Sequence, residues 1–186
     1  MKYLVIDACA RLNSRTRKLC QGYLNTLKGE IKIVKLYDLN IKPLTEKDLI
    51  YRDNLINKND YSDPIFDLAK EFASYDEIII ASPYWDLSFP SILKVYFENI
   101  SISGLTFKYD KDTVKGLAKA KKIIYISTSG GKIYGANLGF EYIKAISNFF
   151  GIKEAINFTV EELDIDPSKE KEILDLSMKK ISELNE

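Results

Sequence analysis

The 186-residue chain predicts an α/β domain of three layers, with a five-stranded parallel sheet covered on both faces by helices. Three observations carry that prediction. Five short apolar runs recur along the chain and are too continuous for strands with one face in water. Amphipathic stretches at helical spacing alternate with them. Prolines and small polar residues stand where those helices should begin.

Taken in order, the first strand is "KYLVIDA" (2–8), followed by a helix at about 14–27, and the second strand is "EIKIVKLY" (30–37). The connection 38–61 is polar with only a short apolar fragment. It is therefore predicted as an excursion over one end of the sheet, the kind of loop that often lines a site. Ser62 and Pro64 suit the N-cap and first turn of a helix at 62–74, which leads into "DEIIIAS" (76–82). Pro90 opens a helix at 90–102, "KKIIYIST" (121–128) is the fourth strand, and a helix follows at 137–150. "EAINFTVE" (154–161) is the fifth strand, and Pro167 opens a last helix over 167–184. No internal repeat or low-complexity segment interrupts this order, and residues 1–186 read as one domain.

Composition removes several function classes. The chain is 46% hydrophobic and 29% charged, and its 27 Lys and Arg cancel its 27 Asp and Glu. No basic surplus advertises nucleic acid or anionic membrane, and no segment reads as a signal peptide or membrane span. Cys9 and Cys20 have no Cys-x-x-Cys spacing, so the expectation is a cytoplasmic protein with free thiols. Histidine is absent, which excludes a Ser-His or Cys-His nucleophile pair, a His base and any His-ligated metal. Two cysteines are too few for a structural zinc site, so no metal is expected.

Three of the strands end alike, in loops of small, polar or aromatic residues: "ACARLNS", "SPYWDLSFP" and "TSGGKIYGANLG". Open parallel sheets bind ligands at the carboxyl ends of their strands, so the three loops should meet around one ligand. In the first, the Ser14 and Thr16 hydroxyls, Arg11 or Arg15 and the free N–H groups of a helix start can converge on a phosphate. A plain Ser N-cap with exposed arginines is the bland alternative. No Gly-x-x-x-x-Gly-Lys or Gly-x-Gly-x-x-Gly pattern is present, which speaks against a nucleoside triphosphate or dinucleotide site.

The second loop and its helix, "SPYWDLSFPSILKVYFENI", resemble the flavin-binding loop of the flavodoxin-like NAD(P)H:quinone oxidoreductases and FMN-dependent azoreductases. The resemblance rests on Ser82-Pro83-Tyr84-Trp85, Phe89-Pro90, Leu93-Lys94 and Phe97. "SGG" at 129–131, "SRT" at 14–16 and "DLNIKPL" at 38–44 match the family in order and spacing. The resemblance implies a flavodoxin-like sandwich with strand order 2-1-3-4-5 and FMN as cofactor, with NADH or NADPH as co-substrate. It also implies two-electron transfer to a quinone or azo acceptor, with the chemistry carried by the flavin and no catalytic side chain. The cofactor residues implied are Arg11, Ser14, Arg15, Thr16, Ser82, Pro83, Tyr84, Trp85, Asp86, Thr128, Ser129, Gly130, Gly131 and Tyr134.

The residue types agree with it. A flat ring needs aromatic walls, which Tyr84 and Trp85 supply, and a close backbone at its polar rim, which Gly130 and Gly131 allow. Two positions depart from the family: Ser129 stands where many relatives have Arg, and Asp86 where many have Asn. An inward Asp86 would disfavour an anionic reduced flavin.

Two other readings stay open. One is an FMN-binding electron carrier without nicotinamide turnover. The other takes Cys9 and Arg15, six positions apart with Thr16 following, as the nucleophile and phosphate-binding Arg of a low-molecular-weight phosphatase, with Asp164 or Asp166 as general acid. Such a loop must wrap tightly round an anion and its relatives use Gly within it. Leu12 and Asn13 suit that poorly, and "SPYWDLSFP" and "TSGG" are left unexplained. Finally, segment 84–89 with Tyr51, Tyr61, Tyr109 and Tyr134 offers more aromatic surface than one small domain need bury. A homodimer with sites at its interface is expected.

Overall fold

The computed structural model describes residues 1–185. Five strands form one parallel sheet: β1 (Lys2–Asp7), β2 (Glu30–Lys35), β3 (Glu77–Ala81), β6 (Lys122–Thr128) and β7 (Glu154–Val160), in the order β2-β1-β3-β6-β7. Counted over these five, the order is the one the resemblance implies. A short antiparallel pair, β4 (Phe107–Asp110) and β5 (Thr113–Gly116), intervenes in the chain and was not foreseen.

The continuity of the apolar runs has a direct cause. Successive strand residues point to opposite faces, and here both faces are covered. Leu4, Ile6, Ile78, Ile80, Ile123 and Tyr125 pack with α3 (Asp67–Ser74), α4 (Ser91–Ile100) and α5 (Leu138–Phe149). Tyr3, Val5, Ile79, Ala81, Ile124 and Ile126 pack with α1 (Arg15–Leu24) and the end of α6 (Glu170–Ser182). All five residues of β3 are buried, as befits the centre of the sheet.

The helix starts follow capping chemistry with small shifts from expectation. Ser14 caps α1, its Oγ accepting the Arg17 N–H at 3.3 Å, and Asn137 caps α5 through the Phe140 N–H at 3.0 Å. Pro90 is the residue before α4. Asp63, not Ser62, caps the 3₁₀ turn Pro64–Phe66 that precedes α3. Pro167 likewise opens a 3₁₀ turn, so α6 starts only at Glu170.

The excursion 38–61 is the larger correction, because it contains a helix, α2 (Glu46–Asn57). Thr45 and Asp48 form a capping box at its start. Its buried Arg52 donates to the carbonyls of Glu98 and Ser101 at 3.4 and 3.3 Å, where the C-terminus of α4 favours a cation. The excursion is thereby tied to α4, away from the carboxyl-end cleft described next.

Candidate functional site

From β1 the chain crosses to β2 on one side, whereas β3 lies on the other, so the loops leaving β1 and β3 diverge at the carboxyl end of the sheet. A cleft of about 170 Å³ opens there. It is the switch point at which such sheets take ligands.

The loop after β1 is shaped by an ion pair at its base. Arg17 on α1 meets the buried Asp7 at 2.5 Å and donates to the carbonyls of Cys9, Arg11 and Leu12 at 2.6, 2.8 and 3.0 Å. With its carbonyls drawn onto Arg17, the loop carries Arg11, Asn13 and Ser14 to the cleft wall. Helix α1 begins at that wall. The Arg17 N–H is capped by Ser14 Oγ and the Lys18 N–H by the Ser14 carbonyl. Among the described residues the N–H groups of Arg15 and Thr16 have no acceptor. Thr16 and Thr128 hydroxyls lie 2.6 Å apart in the cleft lining, sharing one proton and leaving another to donate. Free N–H groups, hydroxyl donors and the positive end of a helix make an anion cradle. The exposed Arg11 also lines it, and no carboxylate among the described residues pairs with Arg11.

The loop after β3 forms the opposite wall. The Ser82 N–H donates to the Ile126 carbonyl at 3.0 Å and the Tyr84 N–H to the Thr128 carbonyl at 2.9 Å, which prolongs the sheet pairing into the loop. Trp85 and Ser88 then exchange both backbone hydrogen bonds, at 3.0 and 2.8 Å, across a two-residue turn with Asp86 at φ 48° and Leu87 at φ 71°. The tight turn keeps Pro83, Tyr84 and the 38% exposed Trp85 on the cleft.

The loop after β6 is held by the one after β7. Ser129 donates to the Val160 carbonyl at 2.8 Å, Leu163 to the Ser129 carbonyl at 3.2 Å and Asp164 to the Gly130 carbonyl at 2.8 Å. Gly130 lines the cleft, and a Cβ there would collide with the Asp164 carboxylate. Gly131, expected beside it at the ring, is not in the cleft lining and borders open space.

The structure thus brings Arg11, Ser14, Arg15, Thr16, Pro83, Tyr84, Trp85, Thr128 and Gly130 to one cleft. It does not bring the rest. Ser82 is fully buried, Ser129 spends its hydroxyl on the Gly131 carbonyl at 2.7 Å, and Asp86 is exposed on the turn, outside the lining. Tyr134 is 85% exposed and also outside it. No residue of the excursion 38–61 lines the cleft either. Arg15, expected at the phosphate, donates to Asp164 at 2.7 Å and to the Leu163 carbonyl at 3.1 Å, with Glu170 at 3.5 Å.

None of the four tyrosines expected around the site lines the cleft: besides Tyr134, Tyr51 donates to Asp63, Tyr61 packs edge-on against Phe66 and Tyr109 edge-on against Phe107. Ala10, Asn13 and Asp164 line the cleft without having been foreseen as cofactor residues.

The phosphatase reading fails on Cys9. Its thiol is 2% exposed, points at the Ala81 carbonyl at 3.6 Å and does not line the cleft. Burial pushes it up to about 12, so no thiolate is available near neutral pH. Both candidate acids are instead held below the usual carboxylate range, Asp164 by the Arg15 hydrogen bond and Asp166 by that of Ser168.

A doubly covered parallel sheet with a phosphate-type cradle and an aromatic wall at its switch point is the flavodoxin-like class. The chain belongs to that family, matching its profile, described as flavodoxin-like fold, over residues 1–184. It is 33% identical over 190 residues to the FMN-dependent NADH:quinone oxidoreductase of Clostridium beijerinckii, covering 97% of this chain and 95% of that protein. It is 35% identical over 159 residues to the protein of the same name from Clostridium perfringens (strain ATCC 13124), covering 82% and 80%. Among solved structures, an azoreductase from Bacillus anthracis strain Sterne superposes with a TM-score of 0.84 at 20% identity, covering 99% of this chain and 98% of that one. An FMN-dependent NADH-azoreductase from Bacillus anthracis strain Ames Ancestor, in complex with FMN, gives 0.82 at 24% identity, covering 99% and 97%.

Proposed function

We propose that the chain is an FMN-dependent oxidoreductase that takes electrons from NADH and delivers two of them to a quinone or azo acceptor. The observation that carries this reading is the pairing, in one cleft, of an anion cradle at the start of α1 with an aromatic wall and the Gly130 backbone. These are the needs of one phosphate and one flat ring. Bound FMN supplies the redox chemistry, accepting hydride from NADH and releasing two electrons with protons from solvent. The names of the relatives favour NADH over NADPH.

On this reading Ser14, Thr16, the Arg15 and Thr16 N–H groups and Arg11 hold the phosphate. Pro83, Tyr84 and Trp85 hold the ring, and Gly130 and Gly131 let the backbone approach its rim. The chain contributes binding, orientation and shielding from water; with no His in it, no side-chain base is asked for. Residues 1–186 act as one domain, and the two buried free thiols suit a reducing cytoplasm. No described helix is long and apolar enough to cross a membrane.

The working unit is a homodimer. Exposed Leu12, Leu87, Tyr134 and Ile165 sit on the loops that leave the carboxyl end of the sheet, with Leu138 at the start of α5, and a second copy would cover them. Purified protein should be yellow, carry one FMN per chain and oxidise NADH with a quinone present. A colourless protein that takes up no FMN at micromolar concentration would refute the reading. Light scattering should give twice the chain mass, and a monomer with full activity on dilution would refute the dimer.

A further inference from the structure

Asp164 carries a chemistry that neither the cradle nor the aromatic wall supplies. It follows β7, and its backbone is pinned, with its N–H on the Gly130 carbonyl at 2.8 Å and the preceding Leu163 N–H on the Ser129 carbonyl at 3.2 Å. One carboxylate oxygen, Oδ1, accepts from Arg15 at 2.7 Å. The other, Oδ2, has no hydrogen-bond donor among the described residues and lies over Gly130, so close that any side chain there would strike it. Asp164 and Gly130 both line the cleft.

Its neighbours place it within that cleft. On one side Arg15 leads directly to Ser14 and Thr16 of the anion cradle. On the other, Gly130 follows Thr128, whose carbonyl holds Tyr84 of the aromatic wall at 2.9 Å. The free oxygen therefore serves the stretch of ligand between phosphate and ring. It can only accept. A second phosphate there would set anion against anion, and an aliphatic linker would strip water from a carboxylate without replacing it. The Asp164 side chain is 65% exposed, and a chain of hydroxyls offers donors in place of the water that it would displace.

Resting on the FMN reading, we propose that Asp164 is a further cofactor-binding residue, with Oδ2 accepting hydrogen bonds from the hydroxyls of the ribityl chain. The Arg15 side chain then acts as the holder of Asp164 rather than as a phosphate ligand. Its guanidinium, with Glu170 at 3.5 Å behind it, keeps the carboxylate ionised and offsets its charge, so that a phosphate can occupy the same cleft.

The test compares three ligands by fluorescence titration of the full chain freed of flavin: FMN, riboflavin, which lacks the phosphate, and lumiflavin, which lacks the polyol. Asp164→Ala should weaken FMN and riboflavin by about tenfold or more and lumiflavin by less than about twofold, the loss expected for a hydrogen bond to a charged acceptor. Arg15→Ala should cost riboflavin clearly less than Asp164→Ala. Equal losses for all three ligands, or no loss of riboflavin, overturn the assignment. So does an Arg15→Ala loss as large as that of Asp164→Ala, since the carboxylate would then serve only to anchor Arg15. If circular dichroism shows that Asp164→Ala does not fold, Asp164→Asn keeps the shape. A smaller loss confined to the two polyol ligands supports the proposal there, and its absence refutes it. A parent chain that binds none of the three overturns the FMN reading itself, whereas one that binds lumiflavin as tightly as riboflavin overturns the role of Asp164 alone.

Discussion

Removing the Arg17 side chain tests how the first loop is built. Arg17 reaches both oxygens of Asp7, at 2.5 and 3.3 Å, and three loop carbonyls, those of Cys9, Arg11 and Leu12. Asp7 is only 4% exposed, and its one other donor among the described residues is the Cys9 N–H at 2.9 Å. Arg17→Ala therefore strands a buried carboxylate, for which breaking a pair costs about 3–5 kcal/mol. Arg17 itself is 29% exposed, so water can reach part of the gap, and the expected loss lies near the lower figure. Against a total stability of about 5–15 kcal/mol this is large. Asp7→Asn should cost less, about 1–2 kcal/mol, since the stranded group is then a partly solvated guanidinium that keeps its carbonyls. Urea unfolding of the parent, both single variants and the double variant gives the coupling directly. FMN affinity should fall in Arg17→Ala as well, because the carbonyls that shape the cradle's loop lose their tether. An Arg17→Ala variant within about 1 kcal/mol of the parent, binding FMN equally well, would refute this account of the loop.

The cradle and the thiol give further tests. Ser14→Ala with Thr16→Ala should weaken FMN by several kcal/mol, roughly two or three hydrogen bonds to a charged oxygen, and barely change riboflavin; equal losses would sink the phosphate assignment. Cys9→Ser should retain NADH-dependent quinone reduction, measured by absorbance loss at saturating FMN, because the thiol touches no part of the cleft. The same thiol makes stability depend on pH. Burial raises its pKa in the fold from the ordinary 9.0 to about 12, so the native state holds a proton that the unfolded chain releases, and stability is full below pH 9 and lost as pH rises toward 12. Each such thiol adds a slope of about 1.4 kcal/mol per pH unit in that window. Denaturation of Cys9→Ala at pH 8 to 10.5 should show a shallower decline than the parent, and an unchanged slope would contradict the burial argument.

The sheet was legible because burial on both faces removes the need for polar alternation: Ile78-Ile79-Ile80 has no other economical explanation. Helix α2 was not. Among its residues only Arg52 is buried, while Leu49, Ile50 and Tyr51 are exposed, so its apolar periodicity is faint. The local signal was the box formed by Thr45 and Asp48, which marks a helix start from four residues. The hairpin β4–β5 was hidden differently. Its strands have four residues each, and its turn is made by Lys111 at φ 53° rather than by the Asn-Gly or Asp-Gly pair that announces such turns.

The site was legible where residue type alone states a purpose. Ser14 and Thr16 can donate, Tyr84 and Trp85 can wall a ring, and glycines can let a backbone come close; each inference needs only the residue and its place at a strand end. Arg15 shows where that stops. An arginine beside a cradle can serve an anionic ligand or an anionic side chain, and the choice depends on whether a carboxylate arrives from elsewhere. It arrives 149 positions later, on the loop after β7. The strand-end rule applied to β6 applies equally to β7, since the two pair in parallel register from Lys122↔Glu154 to Thr128↔Val160 and so end together. Asp164 could have been placed at the cleft by that register. Its partner could not, because a side-chain choice between two anions is decided by distance, and distance exists only in the folded chain.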